Sequence, residues 1–318
     1  MQQQLETITD FLVLSGFQYR IFDLGRKIQK ISNQTFAAIE LQQTPYPYPF
    51  QQKAWLAVLF WDKQKQQEPV IWFLSFPIDE LGLLKLESRD GFVRDLMTNI
   101  GENMQAHLDG GIAQDSLKES PFSFKPREDR LAMFHALATV ELNELPSSHY
   151  APTQEYLLGR TDSDQWQSLG LQGIADVIAR LDKDDNAATL ASALPRLPDV
   201  PLDRFMQGLE NVRFSGVLSA ALAKRITIEM SAEPRQPALM ASLLRALSGS
   251  EAKNERQRLI NEVLSSDLRQ EIEVLAAISG RAWHDLSEAT LMQGFLEAAA
   301  LQEQDVFNIL LFLYFLEA

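Results

Sequence analysis

The chain contains no cysteine. Disulfides, thiolate nucleophiles and cysteine-ligated zinc or iron–sulfur centres are thereby excluded together. Histidine is scarce, with four residues among 318. His107, His135, His149 and His284 include no pair three or four residues apart, so neither a helical metal clamp nor a His-Glu-x-x-His motif exists. Around His135, Asp129 and Glu141 each lie six residues away and fall off its side of a helix. Basic charge is the third deficit, with 29 Lys and Arg against 43 Asp and Glu and a net charge of −14. Residues 1–150 carry 14 basic against 19 acidic side chains, and the remainder 15 against 24. Neither part has the basic stripe that releases counterions from a phosphate backbone, so no nucleic-acid partner is expected. The acidity reads as solubility.

Long apolar runs are missing as well. The longest, 306–316, is interrupted by Asn308 and is too short to cross a bilayer core of about 30 Å. Residues 1–4 hold no Lys or Arg, and Glu6 and Asp10 flank the first apolar stretch, which does not match a secretory leader. The expected location is the cytoplasm, with no membrane contact.

At 46% hydrophobic over 318 residues, the chain can bury a large core and is expected to form two domains. They divide at Pro146-Ser-Ser-His-Tyr-Ala-Pro152. Before that stretch, Leu5, Ile8, Phe11, Leu12 and Leu14 fall near helical spacing, and 17–23 then alternates with period two. Leu24-Gly25 predicts a turn with Gly25 at positive φ, and 26–31 the returning strand. Ser32 is the expected cap of a short helix through Phe36 and Ile39. Thr44-Pro-Tyr-Pro-Tyr-Pro49 can be neither helix nor central strand. Segments 54–61 and 70–76 are apolar on both faces around a polar connector, which predicts an antiparallel hairpin placed centrally in a covered sheet. Helices over 89–107 and 128–145 are the available covers, with a loop-rich stretch over 110–126. Residues 1–150 are thus expected to be α+β, with a small, mostly antiparallel sheet.

From 151 to 318 helix follows helix: 170–181, 187–197, 201–212, 216–229, 237–247, 254–264, 270–286, 288–299 and 304–317. Pro195 argues for a break inside its segment. The first helices of successive pairs begin near Gly170, Pro201, Arg235, Arg269 and Gln304, at steps of 31, 34, 34 and 35 residues. Such a period without strand signals predicts an all-α helical-repeat domain, a HEAT-like solenoid, with an irregular bundle as the alternative.

The run Tyr19-Arg-Ile-Phe-Asp-Leu-Gly-Arg-Lys-Ile-Gln-Lys-Ile-Ser32, with Trp72-Phe-Leu-Ser-Phe-Pro-Ile-Asp79 and Leu81, resembles an uncharacterised family of gammaproteobacteria. The resemblance spans nearly the whole chain. It implies bacterial origin and a domain of unknown function, with no functional residues to carry over. The helical part is similar in texture to HEAT repeats, which implies protein binding by analogy.

Chemistry-bearing patterns are sparse. The Gly-x-Ser-x-Gly elbow is absent, and Gly25-Arg-Lys and Gly170-Leu-Gln-Gly173 lack the spacing of phosphate or dinucleotide loops. The acid pairs Asp79-Glu80, Glu128-Asp129 and Asp182-Lys-Asp-Asp185 read as turns, caps or a solvated connection, although two carboxylates suffice for hydrolase chemistry. Basic charge concentrates in the first hairpin, with Asp23, Arg26, Lys27 and Lys30. It is either a charged sheet edge or a contact in which Arg26 and Lys27 meet an acidic partner. At the other end, the 304–317 helix is apolar almost all round. Phe307 and Leu311 are therefore expected in the last repeat's core or in a homodimer contact.

The function these observations favour is an interaction or scaffold protein with a protein partner, no cofactor and no catalytic or metal-binding residue. The alternative is an enzyme or small-ligand binder with a pocket between the domains. A weaker option is RNA binding through stacking on Tyr46, Tyr48 or Trp61.

Overall fold

The computed structural model describes residues 5–64, 68–100 and 120–315, with the side chains of 99, 100 and 312–315 outside the description. The chain divides into two compact units, Met1–Arg127 and Glu128–Ala318.

The first unit opens with α1 (Ile8–Leu14), started by a reciprocal cap in which Thr7 accepts from the Asp10 amide and Asp10 from the Thr7 amide. Then come β1 (Gln18–Asp23), β2 (Gln29–Ile31), α2 (Asn33–Glu40), β3 (Lys53–Trp61), β4 (Val70–Pro77) and α3 (Leu86–Ile100). Ser32 caps α2 through the Thr35 amide at 3.0 Å, as its sequence predicts. The sheet is antiparallel in the order β2-β1-β3-β4. The hairpin β3–β4 forms as expected, with Val58 opposite Trp72 and Ala54 opposite Phe76. Only β3 of the pair is interior, because β4 ends the strand order. Its outer edge is nevertheless paired: the Ser75 amide donates to Phe122 at 2.7 Å and the Phe124 amide to Phe73 at 3.1 Å. That short segment alternates as a strand does, sending Phe122 against Phe76 and Phe92 and Phe124 against Trp55 and Phe73.

One face of the sheet, with Ile21, Leu56, Val58, Phe60, Trp72, Leu74 and Phe76, packs in one cluster with Phe11 of α1, Phe36 and Ile39 of α2, and Phe92 and Leu96 of α3. Trp72 is 3% exposed, while Trp55 on the opposite face is half-buried. The second expected cover, the helix from Glu128, belongs instead to the helical unit. Gly25 is not at positive φ, contrary to the turn read from sequence. It is small because an added Cβ would stand 3.1 Å from Asp23 Oδ1 and 3.2 Å from Phe50 Cβ. Helix α3 begins at Leu86, three residues before its expected start. His107 and the stretch from Gly110 to 119 lie outside the described residues.

Glu40, fully buried, holds the start of α1. Its carboxyl accepts from the amides of Ile8 and Thr9 at 2.7 and 3.0 Å and from the Thr9 hydroxyl at 2.5 Å. Arg89 donates to the Glu40 carbonyl and pairs with Asp90. Burial pushes the Glu40 carboxyl up to about 7, against lowering by the Thr9 and Ile8 donors and by Arg89. Because the folded value lies above the ordinary 4.5, the stabilisation tied to the protonated form is complete below 4.5 and is lost as pH rises through 7. Urea titrations across that window are expected to show a loss on the order of 3 kcal/mol from this group. Glu40→Gln should flatten that part of the slope; equal slopes in variant and parent would refute the assignment.

The second unit comprises α4 (Glu128–Glu141), α5 (Tyr150–Leu157), α6 (Gly170–Ala179), α7 (Asn186–Ala193), α8 (Asp199–Leu209), α9 (Gly216–Met230), α10 (Pro237–Leu247), α11 (Lys253–Leu264), α12 (Ile272–Arg281), α13 (Ala289–Ala299) and α14 (Gln304–Phe315). Contacts run α4–α6–α8–α10–α12–α14 in one layer and α5–α7–α9–α11–α13 in the other. The first layer is the more enclosed, with consecutive buried residues over 173–178 of α6 and 239–244 of α10. Helix α7 stops at Ala193, ahead of Pro195. Helix α5 contains Pro152 as its third residue, where a missing amide costs no intrahelical bond.

Side-chain bonds join residues about one helix pair apart. Asn186 donates to Tyr150 Oη (36 residues), Arg225 to the Leu194 carbonyl (31), and Gln236 to Asp199 (37). Ser250 donates to Ser219 (31), Arg235 to Asp267 (32), and Gln302 to the Gln270 carbonyl (32). The loops after α8 and α10 also touch through backbone bonds between Phe214 and Gly249 and between Glu251 and Phe214. One buried group in α10 breaks the pattern of satisfied polarity: Ser242 is fully buried and, among the described residues, its hydroxyl has no hydrogen-bond partner. Burying an unpaired hydroxyl costs about 1–3 kcal/mol. Ser242→Ala is therefore expected to melt at or above the parent temperature, and a clear drop in thermal denaturation would contradict this.

Candidate functional site

The charged first hairpin is largely interior. Asp23 is fully buried, accepting from Tyr46 Oη at 2.6 Å and from the Gly25 amide at 3.1 Å. Burial, and then the Asp23 charge, raise the Tyr46 phenol well above its ordinary value. Tyr46 also donates its amide to the Gly82 carbonyl, so the proline-rich loop is tied to the end of β1 and to the turn that follows β4. Arg26 is 7% exposed with its guanidinium 5.7 Å from the Phe50 ring. Lys27 is half-buried and Lys30 is exposed. A cationic contact surface on this hairpin would thus be carried by Lys30 and in part by Lys27, with Arg26 inside.

Phe307 and Leu311 are both half-buried on α14, one turn apart. Leu310 is the anchor of this helix at 1% exposed, whereas Ile309 is 58% exposed. The expected burial on several sides is therefore incomplete at Ile309. Leu296 and Leu301, on and just after α13, add to the exposed apolar surface of this last helix pair.

The acidic motifs have local partners. Asp79 accepts from the amides of Leu81 and Leu83, each at 2.9 Å, and so closes a turn. Asp184 and Asp185 adopt left-handed φ in the connection before α7, and Asp184 accepts from Tyr150. His135 is half-buried, and burial lowers its pKa. His284 lies against Trp283. Among the described residues no group of three or more His, Asp or Glu side chains is placed to hold a metal ion.

Two charge clusters in the helical unit were not legible in the sequence. Asp176, buried in α6, accepts from the Ser147 amide at 2.9 Å, from Gln172 at 3.3 Å and from Arg180 at 3.2 Å. Arg180 continues to Thr139 and the Glu144 carbonyl. The second cluster joins Glu210, Arg245 and Arg281 at the ends of α8, α10 and α12. The first contains an i,i+4 pair, Asp176–Arg180, but its Ser147 donor lies 29 residues away, and Glu210 and Arg281 of the second are 71 apart, separations that no motif reports.

These features define a two-unit class: an α+β unit with a four-stranded antiparallel sheet, followed by an all-helical unit whose charged clusters join neighbouring helices. No helix among the described residues is long and apolar enough to cross a membrane. The chain belongs to the family described as Protein of unknown function (DUF3549), which matches residues 3–312. No curated protein and no solved structure matches it.

Proposed function

We propose that the chain is a cytoplasmic protein-binding scaffold whose helical unit is a HEAT-like solenoid. The observation that supports this reading is the set of bonds between residues 31 to 37 apart, from Tyr150–Asn186 to Gln270–Gln302. Helix pairs joined each to the next form a surface that extends by stacking, and such surfaces serve to bind other proteins. Lys27, Phe307 and Leu311 are the contact residues of this reading nearest the exposed surface, and Arg26 supports its hairpin from within. The two-layer contact order favours stacking over an irregular bundle.

Capture by the full chain from lysate of its source cell, with chemical crosslinking and mass spectrometry, tests the role. A specific protein crosslinked to the helical unit is expected. Recovery of no protein above a control column would remove the proposal.

A further inference from the structure

Glu40 closes α2, and its carboxyl is bonded to the start of α1 across the interface between the two helices. Its donors there are neutral: the amides of Ile8 and Thr9 and the Thr9 hydroxyl. Among the described residues no cation is bonded to either carboxyl oxygen. Arg89, from α3, spends its guanidinium on the Glu40 carbonyl and on Asp90 Oδ1, the latter at 2.6 and 2.9 Å. Tyr19, from β1, reaches the site through Thr9. Asp10, on α1 itself, is turned to the amides of Glu6 and Thr7. A fully buried carboxylate met by neutral donors carries a heavy desolvation cost. The neutral acid fits the same atoms, because at 2.5 Å a proton on Oε2 can be donated to Thr9 Oγ1.

The helix held by this carboxyl depends on its docking. Seven residues do not sustain a helix in water, so α1 unwinds once it leaves the sheet. Its inner face, Ile8, Phe11 and Leu12, is buried in the core cluster, with Phe11 against Trp72 at 5.7 Å. Opening α1 therefore uncovers part of the sheet and hydrates Glu40 in the same movement.

We infer that α1 is a pH-governed cover of the sheet, docked while Glu40 is protonated and increasingly open as that carboxyl ionises. The inference stands apart from the scaffold role. In the docked form burial holds the carboxyl up to about 7, whereas an opened α1 returns it to the ordinary 4.5. Docking is then strongest below 4.5 and weakens as pH rises through 7. One proton is released per opening, so the open population rises about tenfold per pH unit between those values and levels above 7.

Native-state hydrogen exchange of the full chain, from about pH 5 to about pH 8.5 and corrected for intrinsic amide rates, tests this. The opening constant of amides 11–14 in α1 is expected to exceed that of amides 56–60 in β3 at every pH. It should also climb up to about pH 7 and then level. Glu40→Gln, neutral at every pH, should remove the climb. If that variant does not fold, the titration of the parent's Glu40 carboxyl carbon by nuclear magnetic resonance carries the comparison. A midpoint near 7 is expected, and one in the ordinary carboxylate range would overturn the inference. Equal opening constants in α1 and β3 would overturn it too, as would a climb that is absent in the parent or unchanged in Glu40→Gln.

Discussion

Gly173→Ala is expected to destabilise the helical unit by about 2–3 kcal/mol, lowering its urea midpoint accordingly. Helices α5 and α6 cross so closely there that an added Cβ would stand 2.3 Å from Thr153 Oγ1 and 2.7 Å from the His149 carbonyl. The threonine has nowhere to retreat: it is fully buried and its hydroxyl already donates to that carbonyl at 2.8 Å. A backbone oxygen cannot rotate aside, so the helices must separate or strain. Gly280 provides the control, since within α12 an added Cβ meets nothing within 4 Å. Alanine there should be neutral or stabilising by up to about 1 kcal/mol through helix propensity. Equal denaturation midpoints for Gly173→Ala and the parent would show that the crossing is looser than described.

Asp176→Ala should be the more damaging substitution, at about 3–5 kcal/mol. It removes the acceptor for three donors and leaves Arg180, 7% exposed, buried without its carboxylate. The magnitude comes from the stranded charge. A double variant, Asp176→Leu with Arg180→Met, should therefore recover a large part of the loss in a double-mutant cycle. Additive losses in that cycle would mean the two side chains act independently. By contrast, the Arg258 pairs with Glu255 and Glu262 lie on the surface, and Arg258→Ala should change stability by no more than about 0.5 kcal/mol.

The helical unit was readable because its helices announce themselves through apolar periodicity and punctuation. The expected 237–247 and 304–317 segments coincide with α10 and α14 at their starts, and Pro195 correctly marked the end of α7. Helix α5 was lost because Pro152 resembles a breaker until its position in the first turn is known. In the first unit, two-sided apolar runs identified the hairpin, but no local signal reveals that 122–124 covers the outer edge of β4. The charged hairpin illustrates the deeper limit. Asp23 and Arg26 look like surface residues by type, yet both are buried, and a one-dimensional pattern does not report which charges find interior partners. Likewise Glu210 and Arg281 meet across 71 residues because α8, α10 and α12 lie side by side, a consequence of tertiary packing rather than of any motif.

Hydrogen exchange of the full chain, alone and with any protein recovered in the capture experiment, tests the central claim most directly. Partner-dependent protection within Glu128–Ala318 is predicted, because the proposed role places binding on the helices of that unit. Protection confined to Met1–Arg127, with exchange across the helices of the second unit unchanged, would contradict the account.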